Sequence, residues 1–183
     1  MTTVYVIIGA VVVLLIVLLV IYNQLVMLRN KVNEAFSTMD VFLKKRFDLI
    51  PSLVEVVKGY ARHETDVLQQ VTRQRTATSH DDRSGLLAGE AKIGDALKSL
   101  FVVAEAYPDL KANNNFLTLQ EQLAKMEDEI SLSRRYYNGS VREYNNRCQM
   151  FPLNLVASAF GFKPMPMFSV SSDMERQAVN VNL

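Results

Sequence analysis

The chain has 183 residues, of which 49% are hydrophobic, and it carries 20 basic against 19 acidic side chains. This length suits one domain, and a formal charge of +1 excludes both a polyanion-binding protein driven by bulk charge and a disordered acidic tail. The single cysteine, Cys148, excludes an internal disulfide framework and a cysteine-based zinc site. Seven glycines and five prolines are too few for a β-sandwich rich in tight turns, so the composition favours a mostly helical domain.

The first predicted element is a transmembrane anchor at residues 4–22. Val4–Ile21 is apolar at every position, and no charged side chain appears before Arg29. At 1.5 Å per residue this run spans roughly 27 Å, close to the hydrocarbon thickness of a bilayer. The run lacks the basic start and the cleavage site of a secretory signal peptide, and no cysteine lies near it for lipoprotein processing. We therefore expect an uncleaved, single-pass anchor that contacts the lipid bilayer.

The distribution of basic residues indicates how the anchor is oriented. None precedes it, whereas Arg29 and Lys31 follow it closely and Lys44, Lys45 and Arg46 lie further along. Basic residues favour the cytoplasmic side of a membrane. The sequence therefore predicts a short N-terminus outside and the remaining chain in the cytoplasm.

Beyond the anchor, apolar residues recur at three- and four-residue steps, which is typical of helices that share a core. We predict four helical stretches, at residues 22–50, 51–78, 86–107 and 114–150. Pro51 separates the first two because the residue before a proline disfavours the helical conformation. The polar residues 79–85 are expected to form a loop.

Short connections between these stretches favour antiparallel neighbours. The predicted fold is all-α, with the transmembrane helix continuing into an up-down-up-down four-helix bundle of coiled-coil type over residues 23–151.

The apolar residues 152–168, which carry one charge at Lys163, follow the predicted bundle. Two interpretations stay open. The segment either forms a cap or a subunit contact of the bundle, or it is an interfacial segment that touches lipid near Tyr22. Residues 169–183 lack periodicity and are expected to be a mobile tail.

Long runs of residues carry a resemblance to a known family. They are Tyr22-Asn-Gln-Leu-Val26, Ala35-Phe-Ser37, Asp40-Val-Phe-Leu-Lys44, Arg46-Phe-Asp-Leu-Ile-Pro51, Val57-Lys-Gly-Tyr-Ala61, Tyr137-Asn138, Tyr144-Asn145 and Phe151-Pro152. Over about residues 22–162 the chain resembles the LemA family of bacterial membrane proteins. The resemblance implies a single-pass anchor in the bacterial cell (inner) membrane, a helical-bundle domain and no assigned enzymatic activity. Some family members are found with magnetosome membranes.

The pair His63-Glu64 is the strongest candidate for a chemical site. A zinc protease helix needs a second histidine four residues after the first, and that position is Val67. Because Glu64 lies on the apolar stripe, we expect it to pair with Lys44 or Arg46. His80-Asp81-Asp82 is expected to be solvated loop charge. The sequence thus predicts no catalytic, cofactor-binding or metal-binding residues, no cofactor, and no enzyme.

Other polar groups are expected to be structural. Asp40, Lys44, Arg46 and Asp48 form a mixed-charge patch that serves either as a docking surface or for pairing within the helix, which is the interpretation we favour. Scattered arginines do not form the basic stripe of a nucleic-acid-binding protein; they are Arg73, Arg75, Arg134 and Arg135.

The glycosylation-like sequence Asn138-Gly-Ser140 falls within a predicted helix and is expected to be coincidental. Tyr136, Tyr137 and Tyr144 are expected to be aromatic residues of the core and its rim.

These features favour a membrane-anchored, non-enzymatic scaffold or adaptor that self-associates as a homo-oligomer. A membrane-shaping oligomer, or a regulatory subunit of another membrane machine such as a protease, remains the alternative. An unidentified membrane protein is a possible partner, and nucleic acid is not expected.

Overall fold

The computed structural model describes residues 1–61, 64–77 and 83–168. These residues are all-α, with six helices and no strand, and the first helix is long and apolar at its N-terminal end. The helices are α1 (Thr2–Tyr60), α2 (Thr65–Ala77), α3 (Arg83–Glu105), α4 (Pro108–Lys111), α5 (Asn114–Gln149) and α6 (Leu153–Ala159). The all-α prediction is confirmed, whereas the up-down-up-down bundle stays a prediction.

The predicted helix boundary at Pro51 is wrong, because α1 continues through it to Tyr60. A proline inside a helix leaves the carbonyl four residues earlier without its usual N–H donor. Here that carbonyl belongs to Phe47, and Nε of Arg75 donates a hydrogen bond to it at 3.2 Å. Packing also holds the helix on both sides of the proline, since Ile50 and Leu53 are buried.

The second predicted stretch, at 51–78, is also wrong as a single helix, because α1 ends at Tyr60 and α2 begins at Thr65. The third and fourth predicted stretches match α3 and α5 to within about three residues at each end, whereas the short helices α4 and α6 were not predicted. Pro108 occupies the first turn of α4, where its missing N–H costs nothing. Asn113 caps α5, since its Oδ1 accepts hydrogen bonds from the N–H groups of Asn115 and Phe116 at 2.9 and 3.1 Å. The predicted loop at 79–85 extends too far, because α3 begins at Arg83. The predicted tail at 169–183 lies outside the described residues.

The chain forms two compact units. The first contains residues 1–39 and 133–167, and the second contains residues 40–132 with Phe168. The core of the first unit is built from α1, α5 and α6; its buried side chains include Leu25, Val32, Ala35, Met39, Tyr137, Val141, Tyr144, Leu153 and Val156. These positions on α1 and α5 recur at the spacing of one helix face, as the apolar pattern predicted.

The second unit has a core of its own, in which α2 packs against α3 and α3 against α4. Its buried apolar side chains include Leu43, Phe47, Ile50, Leu53, Val57, Val71, Leu86, Ile93, Leu100, Leu110, Phe116, Leu123 and Ile130. Arg46 and Glu90 are buried within the same set, at 2% exposure each. This unit therefore encloses charge as well as apolar surface.

Candidate functional site

The N-terminal part of α1 presents apolar side chains on every face. All large hydrophobic residues from Val4 to Val20 are between 37% and 71% exposed, and burial begins at Ile21. Water surrounds such a helix only at a high free-energy cost, whereas the hydrocarbon of a bilayer accommodates it. Among the described residues, α1 is the one helix with the length and composition to cross a membrane.

An aromatic cluster lies where the exposed apolar run ends. The ring of Tyr22 contacts the rings of Phe160 and Phe162 edge-on, with centroid separations of 5.0 and 5.7 Å. Phe162 is buried, whereas Phe160 stays 62% exposed. The chain after α6 thus returns to the first residues beyond Val4–Ile21.

Helix α6 buries one apolar face and leaves one large apolar side chain on the other. Leu153, Val156 and Ala157 are buried in the first unit, whereas Leu155 is 61% exposed, and Phe151, which precedes the helix, is 78% exposed. Asn154 and Ser158 are the polar side chains within the helix, and none is charged. A short helix of this kind leaves apolar surface that its own unit does not cover.

The segment after α6, residues 163–167, is held against α5 by hydrogen bonds, and we call it the strap. The hydroxyls of Tyr144 and Tyr137 donate to the carbonyl oxygens of Lys163 and Pro166, at 3.1 and 2.7 Å. Asn145 makes two bonds to the backbone of Met165, one donated and one accepted, both at 2.9 Å. Met165 lies between Pro164 and Pro166. Because proline has no backbone N–H group, Met165 is the residue of these three that can donate a backbone hydrogen bond to Asn145.

The tyrosines predicted to be core and rim residues divide as follows. Tyr137 and Tyr144 are buried and Tyr136 is half exposed.

Burial raises the pKa of the Tyr144 phenol to about 12, and a hydrogen bond with Cys148 adds to the shift. Burial likewise raises the pKa of the Cys148 thiol, although the hydrogen bond with Tyr144 lowers it. At neutral pH both groups are therefore protonated, and the thiol is a poor nucleophile.

A surface ion pair links α1 and α5 in the same unit. Nζ of Lys31 lies 2.8 Å from Oε2 of Glu143, and this hydrogen bond is the main cause that raises the pKa of Lys31. Both side chains are largely exposed to solvent, so the pair contributes little to stability.

The second unit contains a buried ionic cluster centred on Arg46. Nη2 of Arg46 lies 2.5 Å from Oε2 of Glu90, which is fully buried, and Nη1 lies 2.8 Å from Oε2 of Glu127. The Glu127 side chain is 58% exposed, so the cluster extends from the core to the surface. This arrangement neutralises a charge on the apolar stripe of α1 and is structural in kind.

Two predictions about charged residues are wrong at this cluster. The predicted pair of Glu64 with Lys44 or Arg46 is not formed, because Glu90 and Glu127 occupy the guanidinium. The predicted mixed-charge patch is not a single surface either, since Arg46 points into the core while Lys44 and Asp48 are exposed.

Sequence reasoning missed both glutamates, although a signal was available. Arg46 lies between the core residues Leu43 and Ile50, and Glu90 precedes the core residue Ile93 by three positions. Two opposite charges on two buried stripes indicate a pair.

The other candidates are dispersed. Arg75 binds the Phe47 carbonyl and Arg73 donates to Gln69 on its own helix, and Arg134 and Arg135 lie on α5 in the first unit. His63 and His80-Asp81-Asp82 lie outside the described residues. Asn138-Gly-Ser140 is helical, and its Ser140 hydroxyl donates to the Tyr136 carbonyl. Over residues 1–61, 64–77 and 83–168, no three metal-ligating side chains come together.

One open cavity of about 530 Å³ lies in the second unit, at the C-terminal part of α1 and along α2. Its described lining consists of Val54, Lys58, Thr65, Leu68, Gln69, Thr72 and Arg73. The described lining offers two cations and two hydroxyls without a general base, so it does not assemble a nucleophile–base pair.

Comparison with known proteins places these features in a family context. Protein LemA of Metamycoplasma hominis is 26% identical over 162 residues, which cover 87% of this chain and 74% of the relative. Magnetosome protein MamQ 2 of Paramagnetospirillum magneticum is 24% identical over 186 residues, covering 87% of this chain and 68% of the relative. Magnetosome protein MamQ of Magnetospirillum gryphiswaldense is 22% identical over 178 residues, which cover 82% of this chain and 65% of the relative.

The model of the LemA family matches residues 35–183. This range includes the strap, the aromatic residues of the α6 region and the whole buried ionic cluster, but not the exposed apolar run of α1. Since the match spans well over half of the sequence, the chain belongs to the LemA family.

Proposed function

We propose that this protein is a non-enzymatic scaffold or adaptor that is anchored in the bacterial inner membrane through Val4–Ile21 and self-associates there. One observation carries the proposal. The large apolar side chains from Val4 to Val20 are all exposed, while the same helix buries its apolar stripe from Ile21 onward. A helix that changes in this way from apolar on all faces to apolar on one face fits a bilayer first and a protein core afterwards.

The anchor is tested by comparing two double variants of the full chain. Val12→Arg with Leu15→Arg puts two cations at the centre of the run, at a cost of about 3 kcal/mol each. Ser37→Arg with Thr38→Arg adds the same charge to an exposed part of the same helix. After alkaline carbonate extraction of cell membranes, we expect the first variant in the supernatant and the control in the pellet. Retention of both in the pellet would refute the anchor.

The orientation rests on Arg29 and Lys31, the first charged residues after the apolar run. We propose an external N-terminus and a cytoplasmic remainder. A reporter fused after Leu183 that is active only in the cytoplasm should be active, and a reporter that is active only outside should be inactive. The opposite pattern would reverse the proposed topology.

Self-association is supported by large apolar side chains that are exposed outside the anchor, among them Val41, Val102 and Leu132 at 51%, 68% and 54%. Two differently tagged copies of the full chain, expressed together and solubilised in mild detergent, should purify as one complex. If purification through either tag yields only the copy that carries it, self-association is refuted, and the proposed membrane anchor is not affected by that result.

A membrane-shaping oligomer is a second candidate, favoured by the exposed apolar side chains of Phe151, just before α6, and Leu155 within it. Some relatives carry the name magnetosome protein. In this case, vesicles reconstituted with the protein should differ in diameter or curvature from protein-free vesicles in electron micrographs. Unchanged vesicles at high protein density would exclude it.

A further inference from the structure

Four large apolar side chains in and beside α6 are exposed, and we call them together the patch: Met150, Phe151, Leu155 and Phe160. We infer that this patch inserts into the headgroup and upper acyl-chain region of the bilayer that holds α1. The inference rests on the proposed anchoring of Val4–Ile21 and deepens it, because it adds a second lipid contact far away in the sequence. The patch residues are between 52% and 78% exposed.

The position of the patch follows from the aromatic cluster. Tyr22 is the first residue after Val4–Ile21, and its ring lies 5.0 Å from that of Phe160. If the apolar run fills the hydrocarbon, Tyr22 lies at its boundary, where tyrosine is enriched in membrane proteins. Phe160 then lies at the same boundary, since both residues belong to one compact unit.

The composition of the segment fits lipid better than water. No charged residue occurs between Arg147 and Lys163, and the exposed side of α6 carries Leu155 beside the uncharged polar residues Asn154 and Ser158. Large apolar side chains that no protein core covers are accommodated by a membrane at a lower free-energy cost than by water. The exposed side of α6 is not in the core of its own unit.

The charges that border the patch match anionic headgroups. Arg147 and Lys163 are the charged residues within 144–168, and Arg29 is the first charged residue after the apolar run. The nearest acidic side chain along α5, Glu143, is paired with Lys31. Cations that flank an apolar surface attract anionic lipid, whereas acidic groups would repel it.

The patch is also held in a fixed place. Helix α6 packs against its unit through the buried side chains of Leu153, Val156 and Ala157. The strap that follows it is hydrogen-bonded to Tyr144 and Asn145. A surface whose backbone is held in this way loses less conformational entropy when lipid covers it.

The test is depth-dependent fluorescence quenching of the full chain in vesicles of phosphatidylethanolamine and phosphatidylglycerol. Cys148→Ala removes the native thiol, and Leu155→Cys carries an environment-sensitive dye. Val13→Cys is the control for the anchor. Ser37→Cys, about 22 Å further along α1 than Tyr22, is the control for water. Quenchers are aqueous iodide and lipids with a nitroxide either high or low on the acyl chain.

We expect the dye at Leu155 to be quenched best by the high nitroxide, with an iodide quenching constant several-fold smaller than at Ser37. The dye at Val13 should be quenched best by the low nitroxide. Iodide quenching at Leu155 equal to that at Ser37 would overturn the lipid contact, and lipid quenching at Val13 in the same sample would leave the anchor standing. Loss of lipid quenching at Val13 would refute the anchor itself.

A second copy of the chain is the competing occupant of the patch. In that case the dye at Leu155 is protected from iodide and from both nitroxides, and dilution of the protein in the vesicles restores quenching. This result would also overturn the inference. If the Leu155→Cys variant fails to fold, the same measurement with the dye on Phe160→Cys repeats the test.

Discussion

Nε of Arg75 donates a hydrogen bond to the backbone carbonyl oxygen of Phe47, 3.2 Å away. This oxygen is the one that Pro51, four residues later, leaves without an N–H donor. Arg75 lies on α2 and Phe47 on α1, so the bond replaces a missing helical bond with a tertiary one inside the second unit. A side chain from another helix thus compensates for the missing proline donor.

We expect Arg75→Ala to lower the free energy of unfolding by about 1–2 kcal/mol, because the partly buried Phe47 carbonyl loses a charged donor. Arg75→Lys, which keeps a donor and the charge, should lose less. Chemical denaturation followed by circular dichroism in detergent micelles measures both.

Pro51→Ala supplies the control, since it restores the N–H at the position that bonds the Phe47 carbonyl. In that background Arg75→Ala should cost much less than in the native chain. A double-mutant cycle with no coupling between the two positions would show that Arg75 does not compensate for Pro51.

The Arg46 cluster predicts an order among glutamate variants. Glu90→Ala leaves a buried guanidinium without its buried partner and should cost about 3–5 kcal/mol of unfolding free energy. Glu127→Ala removes a mostly exposed partner and should cost about 1 kcal/mol or less. Denaturant titration of the two variants in parallel measures the difference.

The matched test replaces both buried charges, as Arg46→Met with Glu90→Met. An apolar pair of similar volume avoids the unpaired charge, so this double variant should be more stable than Glu90→Ala alone. If it is the less stable of the two, the cluster contributes more than charge neutralisation.

Tyr144 predicts a loss of stability at alkaline pH. The folded chain keeps the phenol protonated up to about pH 12, whereas the unfolded chain releases the proton near 10.0. Between these values the folded state binds more protons, so stability falls as pH rises through this window and is unaffected by this group below it. Tyr144→Phe should remove this part of the pH dependence.

The measurement is the difference in unfolding free energy between the chain with Tyr144 intact and Tyr144→Phe as a function of pH. Lys31 also has a raised pKa, but it is present in both proteins and cancels in the difference. Both proteins carry Cys148→Ala, because the pKa of the thiol depends on its hydrogen bond with Tyr144 and would change with the substitution. A difference that does not change between pH 10 and about 12 would contradict the burial of this phenol.

We expect the hydrogen bonds of Asn145 to hold the strap against α5. Asn145→Ala removes both hydrogen bonds to Met165, each worth about 1 kcal/mol. Amide hydrogen exchange at Met165 should therefore become roughly tenfold faster or more. Mass spectrometry of the peptide that contains residues 163–167 measures the rate.

Asn146→Ala is the control for the strap, since Asn146 is the exposed neighbour on the same helix. It should leave the exchange of Met165 unchanged. Equal acceleration in both variants would indicate that α5 frays as a whole and that Asn145 does not hold the strap by itself.

The sequence by itself determined the all-α class and the exposed apolar run, although not every helix boundary. A stripe such as Leu25, Val32, Met39 and Leu43 repeats at the helix period, and a helix buries the side of itself that is apolar. Val4–Ile21 is visible for the same reason, because composition and length along one segment are local properties. The start of α5 at Asn114 also followed from the sequence, whereas the short helix α4 did not.

Only the tertiary structure decided how the irregular positions are satisfied. Pro51 predicts a helix end on local rules, and α1 passes through it because Arg75 from another helix completes the Phe47 carbonyl. Arg46 finds Glu90 and Glu127 at separations of 44 and 81 residues, and Tyr22 meets Phe160. Such contacts depend on which helices become neighbours. The apolar pattern of one segment carries no information about this, because residues distant in sequence come together only when the core packs.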